Sequence, residues 1–264
     1  MVILQPCNIN FVSRFSSFVS SDYDDFPRFP LSSIYDPVID FLPDYIEKNA
    51  LLMKKYKIVC LSLYENFSEY GVNDISPLGL AIYEDRFMSM CHACDFVLSK
   101  PQDEFVYVSF GSTQRKPEIS AILNAFGNTN LKFIISYDLK ITTSIPKNCF
   151  VYQWVDQTRL LNLKNVTAIV THCGWGSISQ AISSCTPMIT LAATQSKTID
   201  QYENAMLIVN NNLGYHCDDW KNVHNVIESV IKNKDVFQQN MQNINQRNKI
   251  FSRNQIRSVF ESYI

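Results

Sequence analysis

Glycine is scarce in this chain: only 7 of the 264 residues are glycine, less than half of the average of about 7% in proteins. A chain that uses so little glycine is expected to keep it where the backbone needs its conformational freedom. Three of the seven, Gly111, Gly174 and Gly176, lie just after apolar runs of strand length. These three positions are therefore the first places to look for a site.

Long apolar runs and an excess of one charge are also missing. No run of about 18 apolar residues occurs, so a membrane-spanning helix is not expected. The chain has 23 Lys and Arg against 25 Asp and Glu, a net charge of −2, which gives it no overall attraction to nucleic acid or to an anionic membrane. Hydrophobic residues make up 46% of the chain, enough for a packed core.

Signals for secretion are absent as well. Residues 1–20 lack the basic and then apolar order of a signal peptide. The 8 cysteines are scattered, several of them inside apolar runs. This pattern predicts reduced, mostly buried thiols in a cytoplasmic protein rather than a disulfide framework.

Residues 1–104 form a first, less regular region. Residues 1–35 are rich in Pro, Ser and Asp and predict no regular structure. After them the pattern predicts a helix over Asp44–Lys55, strands over Lys57–Leu63 and Ile75–Ile82, and a polar connector over 84–104. The sequence thus predicts a domain boundary at residue 104.

Residues 105–264 alternate regularly between strands and helices. Strands are predicted over Phe105–Phe110, Leu131–Tyr137, Cys149–Tyr152, Thr167–Thr171 and Pro187–Leu191, and helices from Pro117 and over 175–185, 199–211, Val223–Lys232, Val236–Lys249 and Arg253–Tyr263. Such alternation predicts an α/β fold with a doubly wound parallel sheet. Sheets of this type bind ligands beyond the carboxyl ends of their strands.

Two glycine-containing loops follow predicted strands: Gly111-Ser112-Thr113, and the segment from His172 to Ser177. Glycine lets backbone N–H groups approach a ligand, and the start of a helix adds free donors and partial positive charge, so the second loop suits a phosphate. The chain has no Walker-type or G-x-G-x-x-G motif, which argues against ATP hydrolysis and dinucleotide binding. On spacing alone, tight packing of a strand-to-helix turn remains the alternative.

Four segments in order carry a more specific signal. They are Trp154-Val155-Asp156-Gln157, Thr171-His172-Cys173-Gly174-Trp175-Gly176-Ser177, Pro187-Met188 and Asp200-Gln201-Tyr202-Glu203-Asn204-Ala205, preceded by Val106 to Ser112. Together they resemble the signature of the UDP-dependent glycosyltransferases. The resemblance implies a GT-B fold, in which this part of the chain is the C-terminal, Rossmann-like domain that binds the UDP-sugar. It implies no cofactor apart from the UDP-sugar donor, and no metal.

The resemblance also implies roles for matching residues. Trp154 would stack on the uracil and Gln157 would bind near the base or ribose. Ser112, His172, Gly176 and Ser177 would hold the diphosphate, and Asp200 and Gln201 would face the sugar hydroxyls. The resemblance also places Gly111 and Gly174 among the residues that bind the UDP-sugar. Each residue also has a structural alternative: Trp154 as core, His172 as a packed histidine at a strand end, and the Asp200-Gln201 pair as a helix cap.

Two departures from the family pattern concern the binding site. Where the family has a glutamate on the ribose hydroxyls this chain has Gln180, which loses a charge-assisted hydrogen bond. Gln180 also completes Ser177-Ile178-Ser179-Gln180, a possible capping box, and the sequence leaves both roles open. The stretch 191–200 is about four residues longer than the family spacing, which predicts a displaced sugar loop.

The third departure concerns catalysis. In the family a histidine in the N-terminal domain deprotonates the acceptor, whose oxygen attacks the anomeric carbon with inversion. About 100 residues precede the predicted nucleotide domain here, and none before His92, in the predicted connector, is a histidine. No catalytic base can be nominated, and the chain looks like a family member with a shortened N-terminal half.

Several hypotheses therefore remain open at the level of the sequence. The first is an enzyme that transfers a hexosyl group to a small lipophilic acceptor such as a sterol, lipid or phenolic. The second is a module that binds a UDP-sugar without turnover. The third is the nucleotide-binding half of a two-chain transferase, whose exposed inter-domain face takes a protein partner or a second copy. The fourth is a partial gene model. Cys91-His92-Ala93-Cys94 offers a metal or redox alternative, but no second ligand pair is evident.

Overall fold

A computed structural model of the chain describes residues 2–6, 57–61, 75–82, 90–111, 119–127, 129–137, 141, 143–191, 199–219, 222–247 and 250–252. The strands are β1 (Val2–Pro6), β2 (Lys57–Leu61), β3 (Ile75–Ile82), β4 (Phe105–Ser109), β5 (Lys132–Ser136), β6 (Cys149–Tyr152), β7 (Val166–Thr171), β8 (Met188–Thr190), β9 (Gly214–His216) and β10 (Ile250–Ser252). The helices are α1 (His92–Leu98), α2 (Ile119–Phe126), α3 (Gln157–Leu161), α4 (Trp175–Ser183), α5 (Ile199–Asn210), α6 (Val223–Lys232) and α7 (Lys234–Arg247).

The larger sheet has six parallel strands in the order β6-β5-β4-β7-β8-β9. The chain first builds outward from β4 through β5 to β6, and then crosses back to build the other half from β7. The strand order therefore reverses between β4 and β7, the switch point at which doubly wound sheets bind ligands. The predicted α/β class and doubly wound parallel sheet are confirmed.

Apolar side chains alternate between the two faces of the sheet along its central strands, which explains why helices cover both faces. On β4, Phe105 and Tyr107 belong to one apolar cluster, while Val106 and Val108 belong to the other. Successive side chains of a strand point to opposite faces, so each strand contributes to two cores. Helix α4 packs into the first cluster, and helices α2 and α6 pack into the second.

The smaller sheet has four parallel strands in the order β1-β2-β3-β10. The prediction that residues 1–35 lack regular structure is wrong for Val2–Pro6, which pairs with β2. Strand β10 follows the last described helix and pairs with β3, so the chain returns to the sheet in which it began. Strand β3 also contacts helix α4 of the larger sheet.

The predicted connector 84–104 contains helix α1. Its side chains Ala93 and Val97 are buried in the core of the larger sheet. Asp95 forms an ion pair with Arg159 of α3 at 2.8 Å. This segment therefore packs on the larger sheet, and the domain boundary at 104 stays a prediction.

Cysteine chemistry differs from the expectation at one place. Cys91 and Cys94 form a disulfide at the start of α1, so the prediction of reduced thiols is wrong for this pair. The two cysteines are three residues apart in the sequence. The first turn of the helix therefore brings their sulfurs together. Cys149, Cys173, Cys185 and Cys217 take no part in disulfides. Over the described ranges, no group of three or more His, Cys, Asp or Glu could hold a metal ion.

Most other elements lie within a few residues of their predicted bounds. The predicted helices Asp44–Lys55 and Arg253–Tyr263 lie outside the described residues. Helix α3 and strand β9 were not predicted. In the part of the chain that the structure describes, no helix combines the length and apolar character needed to cross a membrane.

Candidate functional site

The switch point brings the two glycine loops together. Ser109 at the end of β4 pairs with Thr171 at the end of β7, so Gly111 and His172 leave the sheet side by side. The structure therefore unites the two segments that the sequence singled out 60 residues apart.

His172 is enclosed by two glycines. A Cβ atom at Gly111 would lie 2.7 Å from Cε1 of His172, and one at Gly174 would lie 3.2 Å from its Nε2. Gly111 also has a φ of 68°, a left-handed conformation that favours glycine. Any larger residue at Gly111 would thus meet both a strained backbone and the imidazole ring, which explains the glycine at this position.

The electrostatics of His172 favour a neutral ring. Burial lowers the pKa of His172 below its ordinary value of 6.5, and the nearby Ser109 carbonyl opposes that shift by a smaller amount. Its Nδ1 is buried and makes no hydrogen bond with the described residues. The imidazole is therefore a neutral, incompletely bonded polar group at the switch point, where a ligand could complete its bonding.

Helix α4 starts beside this histidine without a side-chain cap. Its N-cap is Gly174, which has no side chain that could accept a hydrogen bond from the first N–H groups of the helix. The capping-box hypothesis for Ser177 and Gln180 is wrong, because both lie inside the helix rather than at its start. A Cβ at Gly176 would meet no described residue within 4 Å, so the described part of the chain does not crowd the first turn. Free N–H groups at such a start suit an anion.

Gln180 instead joins a small amide and hydroxyl network. Its Oε1 accepts a hydrogen bond from Gln157 Nε2 at 2.5 Å, and its own Nε2 donates to Thr158 Oγ1 at 3.0 Å. Gln157 Nε2 also lies 3.2 Å from Ser177 Oγ, which accepts from it. The network links α3 to the exposed side of α4 and places two predicted site residues, Gln157 and Gln180, in direct contact.

Helix α3 positions this network and was missed in the sequence. Asp156 caps it, accepting a hydrogen bond from the Arg159 N–H at 2.9 Å. The signal was present, because an aspartate before Gln157-Thr158 is a favourable N-cap residue. The helix has only five residues, too short for a periodic pattern to reveal.

Trp154 lies between β6 and α3, on the same edge of the sheet. It is 42% exposed, whereas Trp175 is 6% exposed. A core role therefore describes Trp175 and not Trp154. An indole left this open at the carboxyl end of a parallel sheet is available for stacking on a planar ligand.

The sugar-side residues are described only in part. Ser112 and residues 192–198 lie outside the described residues, as does the side chain of Asp200. Gln201 is buried in α5. Three residues later, Asn204 contacts the His172 loop, donating from Nδ2 to the Cys173 carbonyl oxygen at 2.9 Å. Asn204 belongs to the last of the family-like segments, but the sequence predicts no role for it.

The remaining histidines lie away from the switch-point loops. His92 is exposed on α1, and His224 pairs with Glu228 on α6 at 3.1 Å. His216 Nδ1 lies 2.8 Å from Thr190 Oγ1. Its Nε2 lies 2.9 Å from Asp218 Oδ1 as an ion-pair contact rather than an aligned hydrogen bond.

We expect Gln180→Glu to strengthen UDP binding by about 1 kcal/mol, because a hydrogen bond to a charged acceptor is about twice as strong as one to a neutral acceptor. Gln157 and Thr158 can both donate to the new carboxylate. The measurement is calorimetric titration with UDP, with 2′-deoxy-UDP as the matched ligand. A similar gain for both nucleotides would contradict a role for residue 180 at the ribose.

We expect the stability of the chain to fall on acidification partly through His172. Its folded-state pKa is lowered, so below about 6.5 the unfolded chain binds more protons at this residue than the folded chain does. The contribution of neutral His172 to the free energy of unfolding is present at pH 7.5 and is lost as the pH falls toward 5.5. Melting temperatures over this range should therefore drop less steeply in His172→Gln. An equally steep drop of the melting temperature in that variant would contradict the assignment of a neutral imidazole to folded His172.

The fold is that of an α/β protein in which two glycine-containing loops meet at the switch point of a parallel sheet. The sequence profile described as UDP-glucoronosyl and UDP-glucosyl transferase matches residues 85–249. The chain belongs to this family.

Individual relatives agree with that assignment. The chain is 30% identical over 128 residues to flavonol 3-O-glucosyltransferase of Arabidopsis thaliana, covering 44% of this chain and 28% of that protein. It is 25% identical over 182 residues to flavonol-3-O-rhamnosyltransferase of the same plant, covering 61% of this chain and 40% of that protein. It is 33% identical over 132 residues to ecdysteroid UDP-glucosyltransferase of Mamestra brassicae nuclear polyhedrosis virus, covering 48% of this chain and 24% of that protein. The chain thus spans less than half the length of these relatives.

Solved structures share the fold. Medicago truncatula UGT71G1 complexed with UDP-glucose has a TM-score of 0.70 at 16% identity, covering 93% of this chain and 65% of that chain. Arabidopsis thaliana UGT89C1 complexed with quercetin has a TM-score of 0.64 at 15% identity, covering 94% of this chain and 60% of that chain. These likenesses support the predicted GT-B fold.

Proposed function

We propose that this chain binds a UDP-sugar across the carboxyl edge of the six-stranded sheet. The observation that carries the proposal is the switch point, where His172, enclosed by two glycines, adjoins the uncapped start of α4. The diphosphate would lie there, the ribose at Gln157 and Gln180, and the uracil on the exposed face of Trp154. Asp200, Gln201 and Ser112 would complete the donor site on the sugar and phosphate sides.

The proposed reaction is transfer of a hexosyl group to a small lipophilic acceptor with inversion. An acceptor hydroxyl oxygen forms a bond to the anomeric carbon, the bond from that carbon to the UDP oxygen breaks, and the hydroxyl proton passes to a base. UDP leaves with the bonding electrons. The acceptor class rests on the relatives, whose names include flavonols and an ecdysteroid, so phenolics and sterols are the first acceptors to test. A cytoplasmic setting is part of the proposal: Cys149, Cys173 and Cys217 are buried and outside disulfides, which favours it, whereas the Cys91–Cys94 disulfide is of a kind rare in the cytosol.

We expect the chain to bind UDP and to discriminate against ADP, because Trp154 and the Gln157 network are placed for a base and its ribose rather than for phosphates alone. The measurement is isothermal calorimetry with UDP, ADP and inorganic pyrophosphate. Absence of binding at millimolar UDP would contradict the donor site. Equal affinity for ADP would leave a phosphate site but contradict the assignment of Trp154 to uracil.

A further inference from the structure

The link between β7 and α4 contains a residue in an uncommon backbone conformation. Cys173 has a φ of 68°, in the left-handed region that residues with a Cβ seldom adopt. It lies between His172 and Gly174, the N-cap of α4. Its conformation therefore decides how the chain enters the helix. Such conformations persist where the surrounding structure holds them.

Both main-chain polar groups of Cys173 are held. Its N–H donates to Thr171 Oγ1 at 3.3 Å, and its carbonyl oxygen accepts from Asn204 Nδ2 at 2.9 Å. Asn204 is 0% exposed and lies in α5 beside the equally buried Ala205. Because α5 is anchored in the core, the donor on Asn204 has a fixed position relative to the end of β7.

This contact fixes the direction of the next N–H group. The described residues contain no cis peptide bond, and in a planar trans peptide the C=O and N–H point in opposite directions. With the Cys173 carbonyl directed at Asn204, the Gly174 N–H is directed away from it. Successive N–H groups that point outward from a left-handed turn and a helix start form a concave site for an anion.

We propose that Asn204 is a positioning residue that keeps the Cys173–Gly174 peptide turned so that its N–H serves a phosphate oxygen of the bound nucleoside diphosphate. This inference rests on the proposed function. Without the amide donor, the Cys173–Gly174 peptide can rotate through ψ of Cys173 and φ of Gly174, the two dihedral angles on either side of it. The carbonyl oxygen then moves toward the ligand side, where it repels the anion.

The test replaces Asn204 by Leu, which has a similar volume but no donor, and compares UDP with uridine. We expect the dissociation constant of UDP to rise by about tenfold or more, the loss of a charge-assisted hydrogen bond together with a new repulsion. The dissociation constant of uridine, which has no phosphate, should change by less than about twofold. The ratio of the two constants is therefore the readout.

Asn245→Leu is the matched control. Its amide also donates to a backbone carbonyl of α4, that of Ile182 at 2.7 Å, but at the opposite end of the helix. This variant should be destabilised by the loss of a similar hydrogen bond, yet its UDP-to-uridine ratio should equal that of the unmodified chain. A purely structural role for Asn204 predicts that both variants behave in this way.

If Asn204→Leu does not fold, Asn204→Ser is measured by the same ratio, since its hydroxyl is too short to reach the carbonyl directly. A ratio that stays unchanged in a folded variant overturns the inference while leaving the proposed function intact. Failure of the unmodified chain to bind UDP overturns the proposed function itself. A UDP-to-uridine ratio of dissociation constants that rises in the Asn204 variants and not in Asn245→Leu supports the positioning role.

Discussion

Purified alone, the 264-residue chain is expected to transfer glucose from UDP-glucose about 10²–10⁴-fold more slowly than the 1–10³ per second common among enzymes, because none of its histidines can be nominated as the base for the acceptor. Its 4 histidines are all accounted for. His92 is exposed on α1, His216 contacts Thr190, and His224 pairs with Glu228. His172 belongs to the proposed phosphate site.

The assay is release of UDP from UDP-glucose in the presence of sterol and phenolic acceptors. Asp22, Asp24 and Asp25 are carboxylates near the start of the sequence that could substitute for the base, so a variant with all three changed to Asn is the control. Turnover at ordinary rates that survives in this variant would show that the catalytic machinery lies elsewhere in the chain. Activity that appears only with a second protein would support a two-chain transferase.

Trp154→Ala is expected to weaken UDP binding by about 1–3 kcal/mol, the range for stacking of an aromatic side chain on a base. This corresponds to a rise in the dissociation constant of roughly 5–150-fold. The melting temperature should change little, because Trp154 is 42% exposed and lies outside both apolar clusters. Calorimetry and a thermal melt on the same preparation measure the two quantities.

Tyr215→Ala is the matched control for Trp154→Ala. Tyr215 is a comparably exposed aromatic residue, at 38%, but it lies on the far edge strand β9 and packs edge-on against Phe237. Its replacement should leave UDP affinity unchanged. The stacking role of Trp154 is contradicted if Trp154→Ala lowers the melting temperature while UDP binds as before.

The central sheet could be predicted because its strands are buried on both faces. Val106, Tyr107 and Val108 form a continuous apolar run, as strands covered by helices on both sides do. The order of strands and helices then leads directly to a doubly wound topology. Bounds differ by only a few residues, as at Val166–Thr171 in place of Thr167–Thr171.

The elements that were missed depend on distant partners. Strand β1 starts at Val2 in a segment dominated by turn-forming residues, and it exists through its pairing with Lys57–Leu61. Strand β10 has three residues, too few for any period. Helix α1 begins inside Cys91-His92-Ala93-Cys94, a spacing that also fits a metal or redox site and is not a typical helix start. The pattern of residues within a short segment does not predict which strands pair, because contacts with distant parts of the chain decide the pairing.

Members of the candidate site could be nominated from the sequence, but the contacts between them could not. The family motif gave Gln157 and Gln180 as neighbours of one ligand, but their direct hydrogen bond follows from the packing of α3 against α4. The capping box failed for a similar reason. The pattern Ser177 to Gln180 fits a helix start, but Gly174 already begins the helix one turn earlier. A short motif does not fix the phase of the helix in which it occurs.

Strand β10 has a mechanical consequence for the two sheets. The backbone passes between them once from β3 toward α1 and β4 and again from α7 into β10. The second crossing, together with the contact between β3 and α4, limits how far the two sheets can separate. Removing Ile250–Ser252 would take away the end of that crossing. It would also leave the outer edge of β3 unpaired, a template on which another chain could assemble.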